Sequence, residues 1–292
     1  MILKKYLTMD IGGTFIKYSI MDEDFHEEHP KSVPTERDPE QFLKQLLLII
    51  AENTEPIDGI AISMGGFIDP ETGLNTDYSV GANFTRYNLK EKLYELTGYR
   101  VAVENDSNCA ALAELHLGAG RDCKDFCMVT VGTGIGGAII HNRELFRGRN
   151  FKAGEFGFSL IGKETKDSKW NYKAAAATST LVRRVSEALG QKVDGIYIFD
   201  HLDQQIIREI YEEWLEDLAI VIGNLAVCMD PEKVIIGGAI SIRERFINDL
   251  KNRVYDIHQH LDKYTKIEAC TLGNNAGKIG ALLQFFTLYG NI

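Results

Sequence analysis

Residues 6–21 of the chain, YLTMDIGGTFIKYSIM, contain the stretch that decides the fold. Residues 6–9 form a short apolar run, and in residues 15–21 apolar and polar side chains alternate, as they do in a half-buried strand. A glycine pair, Gly12 and Gly13, separates the two segments and suits a tight turn. We therefore predict a β-hairpin at this position.

The same pattern returns at residues 126–140, FCMVTVGTGIGGAII. A strand leads into a glycine-rich turn at 132–137, and a second strand follows. Weak self-similarity of this kind is what two related half-domains leave in a sequence. We place the first domain at residues 1–108, completed by a C-terminal helix at 275–292, and the second domain at residues 109–274.

Helical and extended segments alternate between the two hairpins. The spacing of apolar residues and the positions of glycines predict helices at 42–50, 90–96 and 108–117 and strands at 59–63 and 101–104. Strands that alternate with helices are typical of an α/β domain, which is the fold class we expect.

The second half of the chain predicts a long helix and a short strand. The helix carries an apolar stripe formed by Ile206, Ile210, Trp214, Leu218, Ile222 and Leu225. Asp230-Pro231 ends it, and a strand at 234–236 leads into Gly237-Gly238. A closing helix from Asn275 contains Gly277 and Gly280, which allow either close packing or a bend.

The composition is that of an ordinary folded protein. The chain has 292 residues, 45% hydrophobic and 25% charged, with a formal net charge of −10. An acidic chain without a cluster of Lys and Arg repels phosphate backbones, so we expect no nucleic-acid partner. The apolar runs are too short to span a bilayer and the N-terminal segment does not resemble a signal peptide. We therefore expect no membrane partner and a cytoplasmic location.

The five cysteines are odd in number and dispersed, which argues against a disulfide framework. Cys123 and Cys127 are the closest pair, but no histidine or second cysteine pair lies at the spacing of a zinc finger. We therefore favour two buried thiols that flank a strand over a metal site.

Glycines follow three of the predicted strands, at 12–13, 132–137 and 237–238. Glycine lets backbone N–H groups converge on phosphate oxygens, so together these turns indicate a nucleotide-binding protein. Each one alone is also compatible with a simple hairpin turn. The run at 132–137 fits the GxGxxG spacing but continues into a strand, which excludes a Rossmann site, and no Walker A sequence occurs.

Three carboxylates accompany these glycines. Asp10 follows the first strand, where it suits either a Mg²⁺-bound phosphate or the start of a turn. Asp106 precedes a helix, where an N-cap is the simplest interpretation of the pattern. Glu155, in the loop Ala153-Gly154-Glu155, is either an acceptor for a substrate hydroxyl or a solvated surface residue.

Taken together, these motifs resemble those of the ROK sugar kinases, members of the actin-like, hexokinase-like superfamily. The matching segments cover nearly the whole chain in order and spacing. They are Asp10-Ile11-Gly12-Gly13-Thr14 with Lys17, Glu104-Asn105-Asp106 with Asn108-Cys109-Ala110-Ala111, residues 130–137, Ala153-Gly154-Glu155, Ile235-Ile236-Gly237-Gly238, and Asn275-Ala276-Gly277 with Ile279-Gly280. The resemblance implies two actin-like (ribonuclease H-like) α/β domains that flank a cleft.

The resemblance also implies an ATP-dependent kinase that phosphorylates a hydroxyl of a hexose, an N-acetylhexosamine or a β-glucoside. Asp106 matches the catalytic base of the family. The implied sugar-binding residues are Gly65, Asn105, Asp106 and Glu155. The implied ATP-binding residues are Asp10, Gly12, Gly13, Thr14, Lys17, Thr133, Gly134, Gly136, Gly237 and Gly238, with Mg²⁺ bound through ATP near Asp10.

One segment of the family is missing. Many ROK proteins have a histidine three residues after the Glu155 position, which contacts the sugar and ligates zinc, and then a CxCGxxGCxE segment. Phe158 takes the histidine position, no cysteine occurs between Cys127 and Cys228, and residues 170–177 show no counterpart of the sugar-contacting glutamate. We therefore expect a member without zinc, either N-acetylmannosamine kinase-like or β-glucoside kinase-like.

Some ROK relatives are transcriptional repressors with an N-terminal helix-turn-helix, so a non-catalytic sugar- or nucleotide-binding regulator is the alternative. The first glycine turn already begins after residue 10, and we expect no such module. Asp10, Asp106 and the glycine turns are intact. We therefore expect an active enzyme and, by resemblance, a homodimer.

Overall fold

A computed structural model describes residues 3–53, 55–77, 87–159 and 176–290 of the chain. The strands are β1 (Lys5–Ile11), β2 (Phe15–Asp22), β3 (Glu27–Pro34), β4 (Gly59–Met64), β5 (Val101–Asn105), β6 (Phe126–Val131), β7 (Ile135–His141), β8 (Glu144–Leu145), β9 (Lys233–Gly237) and β10 (Lys266–Ala269). The helices are α1 (Pro39–Ala51), α2 (Leu89–Thr97), α3 (Asp106–Leu117), α4 (Thr178–Leu189), α5 (Gly195–Asp200), α6 (Gln205–Met229), α7 (Glu244–Ile257) and α8 (Ala276–Tyr289).

The chain folds into two compact units. The first comprises Met1–Ala113, Arg147–Lys152 and Asn275–Ile292, and the second comprises Glu114–Phe146 and Ala153–Asn274. The short segment Arg147–Lys152 thus belongs to the first unit, although the chain on either side of it belongs to the second. Nothing in the sequence indicated this placement.

The described residues of each unit form a five-stranded sheet, and the two sheets have the same topology. The order is β3-β2-β1-β4-β5 in the first unit and β8-β7-β6-β9-β10 in the second. In each sheet the three strands that come first in the chain are antiparallel, and the last two extend the sheet in parallel. The predicted α/β class, the two hairpins and the self-similarity of the halves are therefore confirmed.

The second hairpin differs from the prediction in where its turn ends. β7 begins at Ile135, so Gly136 and Gly137 lie within the strand rather than in the turn. A hydrogen bond from Gly132 N to Gly134 O (2.9 Å) already closes the turn. Gly137 instead makes room for the ring of Phe156, because a Cβ at that position would lie 2.3 Å from the ring.

The central strand of the first unit is buried on both faces because helices cover both sides of the sheet. On one face Leu7 packs in a cluster with Phe42 of α1. On the other, Tyr6 contacts Phe285 and Phe286 of α8, with ring centroids 5.1 and 5.2 Å apart. The C-terminal helix is therefore an integral layer of the first unit.

In the second unit, α6 supplies the largest buried side chain. Trp214 is fully buried and donates from Nε1 to the carbonyl of Ala177 at 3.1 Å. The predicted stripe is correct around Trp214 and Ile222 but wrong at Ile206, which is 43% exposed while Ile207 is buried. A helix turns by about 100° per residue, so repeated four-residue steps drift and Ile206 ends about 160° round the helix from Ile222.

The predicted burial of the closest cysteine pair is confirmed, although Cys127 does not flank the strand but lies in it. Cys123 and Cys127 are both buried, the latter within β6, and all five cysteines are free thiols. Burial raises the pKa of Cys127 to about 12. This thiol therefore stays protonated and packs as a small apolar side chain.

α8 packs closely against the start of α3 through Gly280. A Cβ at Gly280 would lie 1.8 Å from the carbonyl oxygen of Cys109, and the contact is with backbone, which cannot rotate away. Gly277 lies one turn earlier in α8. A Cβ at Gly277 would lie 3.1 Å from Asp10 Oδ1 and 3.1 Å from Ser63 Oγ. Of the two alternatives for these glycines, close packing is confirmed.

We predict that Gly280→Ala lowers the free energy of unfolding by about 1–3 kcal/mol or more, because a methyl group forces α8 away from Cys109. Urea denaturation followed by circular dichroism measures the loss. Gly195→Ala at the start of α5 is the control, since a Cβ there meets no atom within 4 Å. Equal stability of the two variants would contradict the close packing.

Candidate active site

Three parallel strands of the first unit end at the same edge of its sheet. β4 lies between β1 and β5 and is parallel to both. The register sets Asp10 of β1 beside Ser63 of β4, while β4 runs into Gly65 and β5 ends at Asn105, directly before Asp106. The carboxyl edge of parallel strands is the usual binding edge of an α/β sheet. The sheet thus brings the first-unit sugar-binding and catalytic candidates to one edge with Asp10.

Asn105 organises the junction between β5 and α3. Its side-chain oxygen accepts hydrogen bonds from the N–H groups of Ser107 (2.9 Å) and Asn108 (3.0 Å), as an N-cap residue does. Its Nδ2 donates to the carbonyl of Gly66 at 2.9 Å. Asn105 therefore caps α3, and the helix does not depend on Asp106 for its cap. The sugar contact of Asn105 stays a prediction.

Asp106 is the first residue of α3, and its carboxylate is available for chemistry. More than a third of the residue is exposed, so solvent reaches it, and Ser107 N donates to Oδ1 at 2.7 Å. Desolvation by the surrounding protein raises the pKa of Asp106, the negative charge of Asp10 raises it further, and the Ser107 hydrogen bond opposes both. A carboxylate with a raised pKa is a stronger base than an ordinary surface aspartate.

Asp10 is held from the neighbouring strand. Ser63 Oγ donates to Asp10 Oδ1 at 3.0 Å, and Ser63 is fully buried. The turn that follows is closed by its own backbone, from Gly12 N to Phe15 O at 3.0 Å. Lys17 lies opposite Asp10 in the register of β1 and β2. Ser63 was not predicted, although a lone hydroxyl in the apolar strand before a glycine pair is a usable signal.

Three glycines at strand ends have no structural reason to lack a side chain. A Cβ at Gly13, Gly65 or Gly132 would meet no atom within 4 Å, and none of the three has a positive φ. Gly13 and Gly65 belong to the first unit and Gly132 to the second. The space that a side chain would fill is therefore open to a ligand in each unit, as a cradle for phosphate or sugar requires.

The turn at 132–134 is tied to α4. Thr178 N donates to the Gly132 carbonyl at 2.9 Å, and Ser179 Oγ donates to the Thr133 carbonyl at 2.7 Å. The Thr133 side chain is exposed. Gly136 pairs with Thr130 inside the sheet rather than lying in the turn, and its contact with ATP stays a prediction.

The glycines after β9 have structural reasons of their own. Gly238 has a φ of +92°, and a Cβ there would lie 2.2 Å from the Val131 carbonyl oxygen. At Gly237 a Cβ would lie 2.7 Å from the terminal methyl of Met128. The positive φ and the backbone contact account for Gly238, whereas the Met128 methyl next to Gly237 can move aside. The approach of both glycines to adenosine stays a prediction.

Glu155 sits on a turn that is fixed against β7. Gly154 has a φ of +88°, and a Cβ there would lie 2.8 Å from the Gly137 carbonyl oxygen. Glu155 then precedes the short 3-10 helix Phe156–Phe158 but makes no side-chain cap to it. The turn is therefore rigid on the side that faces β7, and Glu155 is not consumed as its cap.

No group of three or more His, Cys, Asp or Glu side chains within the described residues could hold a metal ion. Phe158, at the histidine position of the family, is 41% exposed. Residues 170–175, most of the stretch searched for the missing glutamate, lie outside the described residues. The absence of zinc stays a prediction.

The repeated sheet topology, with carboxylates and open glycines at strand ends, defines an α/β protein of the actin-like, hexokinase-like class. The chain matches the model of the ROK family over residues 6–286. It therefore belongs to the ROK family.

Three relatives align with this chain over nearly their full length. The β-glucoside kinase of Listeria monocytogenes is 36% identical over 96% of this chain and 97% of its own length. The β-glucoside kinase of Klebsiella pneumoniae is 32% identical, with coverages of 98% and 97%. The N-acetylmannosamine kinase of Escherichia coli is 28% identical, with coverages of 95% and 97%.

Three solved structures have the same fold as this chain. A Listeria monocytogenes protein has a TM-score of 0.91 at 35% identity and covers 98% of this chain and 100% of its own. A ROK family protein of Streptococcus pneumoniae in complex with sucrose has a TM-score of 0.86 at 30% identity, covering 99% and 100%. A Streptomyces griseus glucokinase in complex with glucose and AMPPNP has a TM-score of 0.80 at 25% identity and covers 95% of this chain and 97% of its own.

We predict that the rate falls on the acid side at a pH above 3.8, the ordinary pKa of an aspartate, because the raised pKa of Asp106 must be exceeded before it can accept a proton. The pH profile of kcat/KM for the sugar substrate measures this, because it reports the pKa of the free enzyme. The same shift makes the ionised form costly in the folded state. The free energy of unfolding should therefore fall as the pH rises from 3.8 to the raised pKa of Asp106. Asp106→Asn should remove this fall.

An acid limb of kcat/KM at the ordinary aspartate pKa would contradict a raised pKa of Asp106 as the base. The stability profile of Asp106→Asn provides the control that does not depend on turnover.

Proposed function

We propose that the chain is an ATP-dependent kinase that phosphorylates a hydroxyl of a β-glucoside. The coarser class, a sugar kinase and hence a phosphotransferase, is confirmed by full-length relatives named β-glucoside kinase and N-acetylmannosamine kinase. The observation that carries the chemistry is the exposed Asp106 at the binding edge of the sheet, with the cap of α3 supplied by Asn105.

In this proposal Asp106 takes the proton of the sugar hydroxyl as that oxygen attacks the γ-phosphorus of ATP in line. The new bond joins the sugar oxygen to phosphorus, and the bond to the β-phosphate oxygen breaks with its electron pair leaving on ADP. Asn105 holds Gly66 and the first turn of α3, which fixes Asp106 relative to the Gly65 turn. The sugar then lies against Gly65, where no side chain blocks it.

The first glycine turn suits the phosphates of ATP. Its open Gly13 lets the backbone approach, and Lys17 lies opposite Asp10 to offset negative charge. Asp10, held by Ser63, fits a Mg²⁺ ion that keeps its waters and binds chiefly to phosphate. When bound, the ion neutralises charge on the transferred group. The contacts proposed for Thr14, Thr133, Gly134, Gly237 and Gly238 rest on the family resemblance.

The β-glucoside assignment is the finer part of the proposal. Two relatives that are 32% and 36% identical are named β-glucoside kinase. A solved relative at 30% identity is a complex with sucrose, whose glucose is α-linked, so it supports room for a second sugar ring but not the β linkage. Phe158 supports the same assignment, because an exposed aromatic ring near Glu155 suits stacking against a second ring of the acceptor.

We extend the proposal to three further properties. We propose a homodimer, for which Val227 and Met229 offer exposed apolar surface on α6, and light scattering tests it. We propose a protein without zinc, which metal analysis tests. We also propose a cytoplasmic protein without nucleic-acid or membrane partners, tested by fractionation; no helix of the described residues is long and apolar enough to cross a bilayer.

We predict that the protein releases ADP from ATP in the presence of cellobiose or an aryl β-glucoside. A coupled assay over these compounds, glucose, N-acetylmannosamine and N-acetylglucosamine measures kcat/KM for each. We expect the highest value for a β-glucoside. A higher value for N-acetylmannosamine would refute the finer assignment, and the absence of turnover with every sugar would refute the kinase itself.

We predict that Phe158→Ala lowers kcat/KM for cellobiose by about tenfold, the equivalent of one stacking contact. The value for glucose should change far less, because glucose has no second ring to lose a contact. Tyr264→Ala, which removes another exposed aromatic ring of the second unit, is the matched control. Equal losses for cellobiose and glucose would contradict a role in acceptor specificity.

A further inference from the structure

A buried carboxylate lies two residues before Asp106. Glu104 has no exposed surface, and its Oε1 accepts from Asn105 N at 2.8 Å and from Asn108 Nδ2 at 3.0 Å. Its Oε2 accepts a hydrogen bond from Arg147 Nε at 2.8 Å, and Arg147 Nη2 lies 2.8 Å from the same oxygen as an ion-pair contact. A buried carboxylate without a cation is strongly unfavourable, so Glu104 depends on Arg147.

Arg147 is itself held from a second direction. Its Nη2 also donates to Gln284 Oε1 of α8 at 2.8 Å, and Gln284 is only 3% exposed. The planar guanidinium thus bridges β5 and α8 with a geometry that a single ammonium group cannot reproduce. Arg147 is therefore an anchored cation within the first unit.

The bonds of Glu104 lead directly to the catalytic turn. Glu104 fixes the backbone of Asn105 and the side chain of Asn108, and Asn105 in turn fixes Gly66 and the first N–H groups of α3. Asp106 lies between these fixed residues. Its position is therefore set by a chain of hydrogen bonds that begins at Arg147.

The other end of the same segment is also attached to the first unit. Lys152 Nζ lies 5.0 Å from the ring centroid of Phe67, the residue that follows the Gly65-Gly66 turn. The segment Arg147–Lys152 thus contacts the first unit next to both turns that carry its sugar-site candidates. This explains why it folds with that unit although its neighbours in the chain belong to the second.

We propose that Arg147 is a positioning residue for phosphoryl transfer, which acts through buried Glu104 to set the geometry of the Asn105-Asp106 turn. The inference rests on the proposed kinase function and adds a residue that does not touch the reacting atoms. A purely structural ion pair would change stability alone. A positioning pair also changes kcat in the folded enzyme.

The test compares Arg147→Met, Arg147→Lys and the double variant Glu104→Gln/Arg147→Met in the full-length protein. Lys233→Met is the matched control, because Lys233 pairs with Glu268 at 2.8 Å and its side chain is 18% exposed, against 23% for Arg147. Kinetics with ATP and the best sugar are measured well below each melting temperature, with the folded fraction determined by circular dichroism.

We expect Arg147→Met to lower kcat by about tenfold to a hundredfold per folded molecule, since small misplacements of a reacting group cost this much. The KM for ATP should stay within about twofold, because ground-state binding is not removed. The double variant should recover part of kcat, since it removes the unpaired buried charge. Lys233→Met should lower stability but keep kcat.

Unchanged kcat in folded Arg147→Met would overturn the proposal. If that variant does not fold, Arg147→Lys decides: a reduced kcat with an unchanged KM for ATP supports positioning, and a wild-type kcat overturns it. Absence of sugar-dependent turnover in the wild type would instead refute the proposed function, so the two failures are distinguishable.

Discussion

The hydrogen bonds of the Asn105 side chain are the constraint on which the candidate site depends. One amide group caps α3 through Ser107 and Asn108 and holds the Gly66 carbonyl on the neighbouring strand end. Because Asn105 supplies the cap, the next residue is free to present a carboxylate. That carboxylate sits where a helix N-terminus favours negative charge, while desolvation and the charge of Asp10 raise its pKa. The raised pKa makes this carboxylate a stronger base than an ordinary surface aspartate, as proton transfer from a sugar hydroxyl requires.

Seven of the described glycines illustrate two different physical situations. Gly137, Gly154, Gly238 and Gly280 lack a side chain because protein atoms occupy the space that it would need. Gly13, Gly65 and Gly132 have open space instead. This difference in the space around each glycine is not visible in the sequence.

Local sequence patterns predicted the hairpins and the α/β class. The features that they missed depend on contacts between residues distant in the chain. The hairpins around Gly12-Gly13 and Gly132 follow from strand alternation and turn residues, which act over a few positions. Ile206 was wrongly predicted to be part of the buried stripe, because positions at a constant four-residue spacing move gradually around a helix. Asp106 remained ambiguous in the sequence because both Asn and Asp suit an N-cap, and only the geometry assigns the cap to Asn105. No sequence motif pointed to Arg147, because its contacts are with Glu104 and Gln284, which are distant from it in the chain.

The central claim is that Asp106 serves the chemical step rather than binding or folding, and one variant tests it most directly. In Asp106→Asn, isothermal titration with AMPPNP and with cellobiose should give dissociation constants close to those of the wild type. Mass spectrometry should then show sugar phosphate formation reduced by about 10²-fold to 10⁴-fold, the usual contribution of a positioned base. Phosphorylation at a rate near that of the wild type, with both ligands bound, would contradict the account.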